Sequence, residues 1–133
     1  MEEIKYTITT DIQERQELKS IDMLTEALER LKRAQEEKNT VDGHVFVSIE
    51  CVPQIEGVSC IQVSYYYDKK AGFFRRFFNS DEFYLEIILS DVQYPSNQKI
   101  RALYTGDVKA VENIIYNFVE KQTIPDFSTW DHI

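Results

Sequence analysis

Between residues 45 and 67 apolar side chains twice fall on every second position, and only a pleated strand puts such a set on one face. Val45, Val47, Ile49 and Cys51 form the first set, and Ile61, Val63, Tyr65 and Tyr67 the second. Gly57 lies between them and accepts the left-handed conformation of a tight turn, so Ile55-Glu56-Gly57 is expected to close a hairpin. The register that follows sets Ile49 opposite Val63 and Val47 opposite Tyr65, with both apolar faces on one side. Parity then places Cys51 on the apolar face and Cys60 on the other. Two buried or half-buried free thiols are expected, because a cross-strand disulfide would need a bulge.

The remaining segments extend this frame. Ile4, Tyr6 and Ile8 alternate as a short first strand. Asp11 with Glu14 resembles a capping box that could open a helix, and Ser20 is a second possible start. Ile21, Leu24, Leu28 and Leu31 then recur at helical spacing with Ala27 and Ala34 beside them, and Glu26–Arg30 and Glu29–Arg33 support the exposed side. Phe83, Leu85, Ile87 and Leu89 make a further strand, and Ile100, Ala102 and Tyr104 another, with a loop from Ser90 to Gln98 between them. Gly106-Asp107 ends the sheet and caps a helix over about 108–121, whose stripe is Val111, Ile114, Ile115 and Phe118. Pro125 closes that helix, and Phe127, Trp130 and Ile133 follow at the spacing of one helical turn. The chain therefore reads as a single α+β domain over residues 1–133, a four- to five-stranded, mostly antiparallel sheet with an N-terminal and a C-terminal helix packed against it.

Charge narrows the classes of partner. The net charge is -8, with nine acids against four bases in residues 81–133. Such a surface repels nucleic acid and attracts basic protein surfaces, or simply keeps the protein soluble. No run of about 18 apolar residues is present, and the acidic start Met-Glu-Glu lacks the basic region of a signal peptide, so a cytoplasmic protein is expected.

Catalytic machinery is not legible. Glycines stand singly at 43, 57, 72 and 106, so no phosphate-binding loop can be written. His44 and His132 have no partner at metal-ligand spacing, and Cys51 and Cys60 lack a companion pair. His44 lies on the even face seven positions before Cys51, which opposes contact within that strand, and a structural or surface histidine is the favoured reading over a dyad with either cysteine. Asp68, Glu50 and Glu86 are expected on a partly solvated face, with Tyr66 and Tyr84 as neighbours of Glu50, too wet for acid–base work. The expectation is a binding protein without catalytic residues, cofactor or metal.

Three features bear on binding. Gly72-Phe-Phe-Arg-Arg-Phe-Phe78 sets four rings around Arg75 and Arg76. As a helical turn it stacks Phe73 on Phe77 and Phe74 on Phe78, which favours capping one end of the core, since large exposed apolar patches are uncommon. Exposed, Phe74, Arg75 and Arg76 would suit protein contact better than lipid or nucleic acid. Tyr66, Tyr84 and Glu86 share the outer sheet face and form an amphipathic surface of the kind proteins use for contact. Trp130 is expected to pack against the last helix, and would be an anchor if exposed.

The closing stretch, Asp107-Val-Lys-Ala-Val-Glu-Asn-Ile-Ile-Tyr-Asn-Phe-Val-Glu120 followed by Pro125-Asp-Phe-Ser-Thr-Trp130, resembles the immunity proteins of bacterial polymorphic toxin systems. The small size, acidic balance and helix–sheet–helix order are similar too. That resemblance implies a cytoplasmic inhibitor that binds a cognate toxin or effector, with Glu86, Asp107, Glu112 and Glu120 as acids that could meet a basic, nuclease-like partner. Two other readings stay open: a dimeric secretion chaperone of the type III class, and a small-molecule-binding domain with Phe73–Phe78 lining a pocket.

Overall fold

A computed structural model of the chain describes residues 3–37, 43–67, 83–90 and 98–132, without the side chains of residues 43, 66, 67, 98 and 132. The strands are β1 (Lys5–Thr10), β2 (Gln16–Glu17), β3 (Gly43–Ile55), β4 (Val58–Tyr67), β5 (Phe83–Ser90), β6 (Gln98–Thr105) and β7 (Asp131–His132); the helices are α1 (Ile21–Glu36) and α2 (Val108–Glu120). The strands form one antiparallel sheet of seven in the order β2-β1-β3-β4-β5-β6-β7. The α+β architecture with an antiparallel sheet and two helices matches the sequence reading. The strand count is higher because two-residue strands, β2 and β7, close the two edges. Segments so short carry no alternation, so no periodicity could announce them.

Alternation decides what is buried. Val45, Val47, Ile49 and Cys51 of β3, Ile61, Val63 and Tyr65 of β4, and Phe83, Leu85 and Ile87 of β5 lie on one face and are all buried. Helix α1 covers the β3–β4 part of that face and α2 the β5–β6 part. The first helix contributes Leu24, Ala27, Leu28, Leu31 and Ala34, and the second Val111, Ile115 and Phe118. Two hydroxyl bonds brace the layers. Tyr6 Oη donates to the Phe118 carbonyl at 2.9 Å, satisfying a group at the end of α2 that has no partner within the helix, and the Thr25 and Tyr116 hydroxyls meet at 2.9 Å between the helices. No helix among the described residues is long and apolar enough to cross a membrane.

The β3–β4 hairpin differs from expectation in a way that leaves its faces intact. The loop has two residues rather than three, Glu56 and Gly57, both at positive φ (49° and 85°), the conformation of a type I′ turn. A register shift between Glu50 and Ile55 then sets Ile49 opposite Ile61, Val47 opposite Val63 and Val45 opposite Tyr65. The expected pairs are displaced by two residues, and two residues is one full side-chain period, so every apolar side chain keeps its face. Pro53 falls in the shifted stretch, where its missing N–H interrupts no ladder bond.

Three other expectations change. Asp11 opens no helix. The Thr10 hydroxyl accepts from the N–H groups of Ile12 (3.3 Å) and Gln13 (3.0 Å), turning the chain into β2, and α1 begins after Ser20. Asp11 forms a two-pronged pair with Arg30 at 2.8 Å for each bond and also accepts from Phe46 N–H, so Arg30 is engaged with the β1–β2 turn. In β6, Ile100, Ala102 and Tyr104 lie on the face away from the helices, opposite Ile88, Glu86 and Tyr84. The inward positions are Arg101 and Leu103, and the Leu103 side chain packs on the core. After α2, Trp130 N–H bonds Phe127 C=O in a turn and the chain joins the sheet as β7, with no further helix.

Glu56 is exposed and held at a φ that costs a side-chain-bearing residue about 1 kcal/mol, while Asn tolerates it. Glu56→Asn should raise the urea midpoint; an unchanged or lower midpoint would contradict the turn geometry. Asp11 is pushed up by burial but pulled down further by Arg30 and the Phe46 N–H, leaving its pKa below the ordinary carboxylate value. A lowered folded pKa gives stability that is present above the unfolded value of about 3.9 and lost as pH falls through the folded one. Asp11→Asn should therefore cost about 1 kcal/mol at pH 7. That deficit should shrink below about pH 4, and a constant one down to acid pH would rule out the ionic account.

Candidate functional site

Both described helices stand on one side of the sheet, and among the described residues no element covers the other side. Its side chains come from the positions out of phase with the core, and strand pairing sorts them into rows. One row runs Thr7–Glu50–Cys60–Ile88–Ile100; the next runs Thr9–Ser48–Gln62–Glu86–Ala102–Asp131; a third runs Phe46–Ser64–Tyr84–Tyr104. His44 and Tyr66 begin a fourth. The rows combine rings, small hydroxyls and carboxylates, and most of these side chains are only half-buried.

The middle of this face is ordered by hydrogen bonds. Gln62 Nε2 donates to Glu86 Oε1 at 2.6 Å between directly opposed positions of β4 and β5. Tyr84 and Tyr104 also oppose one another, with ring centroids 4.8 Å apart and planes inclined at 40°. Desolvation, the charge of Glu86, the neighbouring Tyr104, a hydrogen bond to Glu86 and the charge of Asp131 together push the Tyr84 phenol up to about 12. Tyr84, Tyr104, Glu86 and Asp131 are thus close enough to act on one another as one cluster. Tyr104 is 58% exposed, among the most exposed large side chains described.

Glu50 lies elsewhere on the face, two positions along β3 from the Gln62–Glu86 row, and pairs with Arg15 at 3.4 Å. The expected neighbourhood of Glu50 with Tyr84 and Tyr66 therefore does not form. Displacing the hairpin by two residues moved Glu50 opposite Cys60, whereas Tyr66 pairs with His44.

The other expected site residues scatter. Asp107 is the N-cap of α2, its carboxylate accepting from Lys109 N–H (3.0 Å) and Ala110 N–H (3.4 Å), so its charge is committed to the helix end. Glu112 and Glu120 lie on α2, half-buried and exposed, on the side of the sheet away from the open face. Trp130 is 6% exposed and part of the core, which removes it as a surface anchor. Phe74, Arg75 and Arg76, with the whole Phe73–Phe78 run and Asp68, lie outside the described residues. Sequence reasoning missed Tyr104, Asp131 and Phe46 as members of the face. The alternation of Ile100, Ala102 and Tyr104 marks a strand but does not say which of its faces the helices cover.

The cysteines follow parity. Both are free and buried, Cys51 under the helices with Sγ donating to the Val58 carbonyl at 3.2 Å, and Cys60 on the outer face with Sγ 3.3 Å from Ser48 Oγ. Burial raises the Cys51 thiol; burial, with the charges of Glu50 and Glu86 reinforcing it against the Ser48 bond, pushes Cys60 up to about 11. Among the described residues no three His, Cys, Asp or Glu side chains are grouped to hold a metal ion. Hollows of about 260 Å³ beside Tyr6, Leu18 and Val119, and of about 210 Å³ beside Thr10, Met23 and Arg30, adjoin the helices and do not open on the rows. Comparison with protein-family models, with curated proteins and with solved structures finds no match.

Thiols that are protonated and buried react slowly. Both cysteines should resist a disulfide reagent at pH 8 in the native protein and react at once in denaturant. Rapid native labelling of Cys60 would contradict its burial beneath the outer face.

Proposed function

We propose that the protein is a non-catalytic inhibitor that uses the open sheet face to bind and neutralise a cognate toxin or effector with a basic surface. The observation that carries this reading is the make-up of the face: Phe46, Tyr84 and Tyr104 interleaved with Glu50, Glu86 and Asp131, with neither helix lying over it. Aromatic rings supply contact area at low entropic cost, and carboxylates around them select a basic partner and speed its approach. A strongly twisted or wholly polar face would be poorer in the first respect, and a wholly apolar one would invite self-association. Glu86 and Asp131 carry no ion pair among the described residues, so a partner's cations need displace none. The net charge of -8 acts in the same direction at longer range. An inhibitor of this kind protects the cell that makes the toxin, which fits a cytoplasmic bacterial protein.

Ser64 stands between Phe46 and Tyr84 at the centre of the face, and Glu29 is exposed on α1 beyond the opposite side of the sheet. Calorimetric titration of the partner into Ser64→Arg should show affinity reduced by about 100-fold or more, as expected when a charge is left facing like charges in an interface. Glu29→Arg, a larger change in charge, should alter it by less than about threefold at physiological salt. Equal losses would reduce the effect to overall charge, and full binding by Ser64→Arg would remove the face from the interface.

A further inference from the structure

Tyr84 and the three groups clustered around it have a chemistry more specific than a general acidic surface. We propose that Tyr84, Tyr104, Glu86 and Asp131 form a seat for one guanidinium group, an arginine side chain projecting from the partner; the inference rests on the docking reading above and names its central contact.

The geometry comes from strand pairing. Tyr84 and Tyr104 face each other across β5 and β6, their rings 4.8 Å apart and inclined at 40°, so together they make a partly open aromatic corner. Glu86 follows Tyr84 by two residues and Ala102 precedes Tyr104 by two, which puts both one row further along the same face. Asp131 of β7 lies across Ala102 from Glu86. A small residue thus separates two carboxylates that stand two strand spacings, about 10 Å, apart at the backbone. The ring pair borders that gap. Ala102 brings only a methyl group to the row and is 1% exposed, so side chains on either side already close over it and the seat lies at their outer ends.

Each element of the cluster suits a planar cation. The faces of phenol rings attract cations, guanidinium more often than ammonium. A guanidinium offers five N–H donors in a fixed fork, enough to reach a carboxylate at each edge while its plane lies on a ring. Glu86 is held in place by Gln62 on one side, and a carboxylate has about four acceptor positions, so it keeps capacity for a charged donor. Tyr84 lies two residues from Glu86 on the same face of β5, so its ring stands beside that carboxylate. Neither carboxylate has an ion pair among the described residues, unlike Glu50, which pairs with Arg15, and Asp11, which pairs with Arg30. Two carboxylates beside aromatic faces without a cation are complementary to a basic side chain supplied from outside.

The test uses the whole chain and two small probes. Isotope-labelled protein is titrated with N-acetyl-arginine amide and, separately, with its neutral isostere N-acetyl-citrulline amide, while backbone amide shifts are followed. Saturable shifts should centre on residues 84–86, 102–104 and 131, and arginine should bind at least about threefold more tightly than citrulline. Tyr104→Ala and Glu86→Gln should each weaken arginine binding by about threefold and leave citrulline unaffected. Tyr104 is largely exposed and Gln keeps a hydrogen-bonding group at position 86, so both variants should retain the native spectrum. Equal shifts with the two probes, shifts spread over acids elsewhere on the surface, or arginine binding unchanged in both variants would each overturn the seat. The partner titration separates this from the parent reading. If Ser64→Arg abolishes partner binding while Tyr104→Ala and Glu86→Gln leave it intact, the face docks a protein and the seat is wrong. If Ser64→Arg has no effect, the docking reading itself fails.

Discussion

Everything in this structure depends on the phase of one alternation. Strands β3, β4 and β5 carry most of their buried apolar side chains at odd-numbered positions, and antiparallel pairing in even steps keeps those positions on a single side. That side draws both helices, because each has one apolar stripe and the sheet offers one apolar face. A displacement of one residue in the β3–β4 pairing would turn Val45, Val47 and Ile49 outward and bury Phe46, Ser48 and Glu50 in their place. The observed displacement is two residues, and the core tolerates it.

The consequence for function is an asymmetry of layers. With two helices on one side, nothing in the described chain covers the other, and its composition differs from an ordinary solvated sheet surface. Carboxylates and tyrosines occupy opposed or adjacent positions, and hydrogen bonds such as Gln62–Glu86 fix them across strands. A carboxylate held by a neighbouring amide on a paired sheet has little side-chain freedom left to lose. The acids on α2, by contrast, serve local ends: Asp107 holds the helix start, and Glu112 and Glu120 lie on the helical side.

Much of the frame was legible in the residues. The five longer strands, both helices, the inward set of β3–β5, the Asp107 cap and the opposite facing of Cys51 and Cys60 all follow from spacing, since period 2 and period 3.6 are local properties. Glu86, Tyr84 and Tyr66 were likewise assigned to the outer face by parity. What was misread is instructive. Asp11 looked like a helix cap because the Asp–Glu spacing is correct, but the Thr10 hydroxyl made a turn first and Arg30, nineteen residues on, captured the carboxylate. The place of Tyr104 was not legible because alternation names a face without saying which face is covered.

Local spacing therefore established the element types, the antiparallel α+β class and which side chains travel together. It could do so because backbone geometry repeats at fixed periods whatever the rest of the chain does. The three-dimensional packing chose the side on which the helices sit for β6, the edge roles of β2 and β7, and the rows that bring Tyr84, Tyr104, Glu86 and Asp131 together. Those choices depend on pairing between residues up to about 50 positions apart, with a turn and a bulge setting the register. No local periodicity encodes that sum, so the candidate site became visible only when the strands were laid side by side.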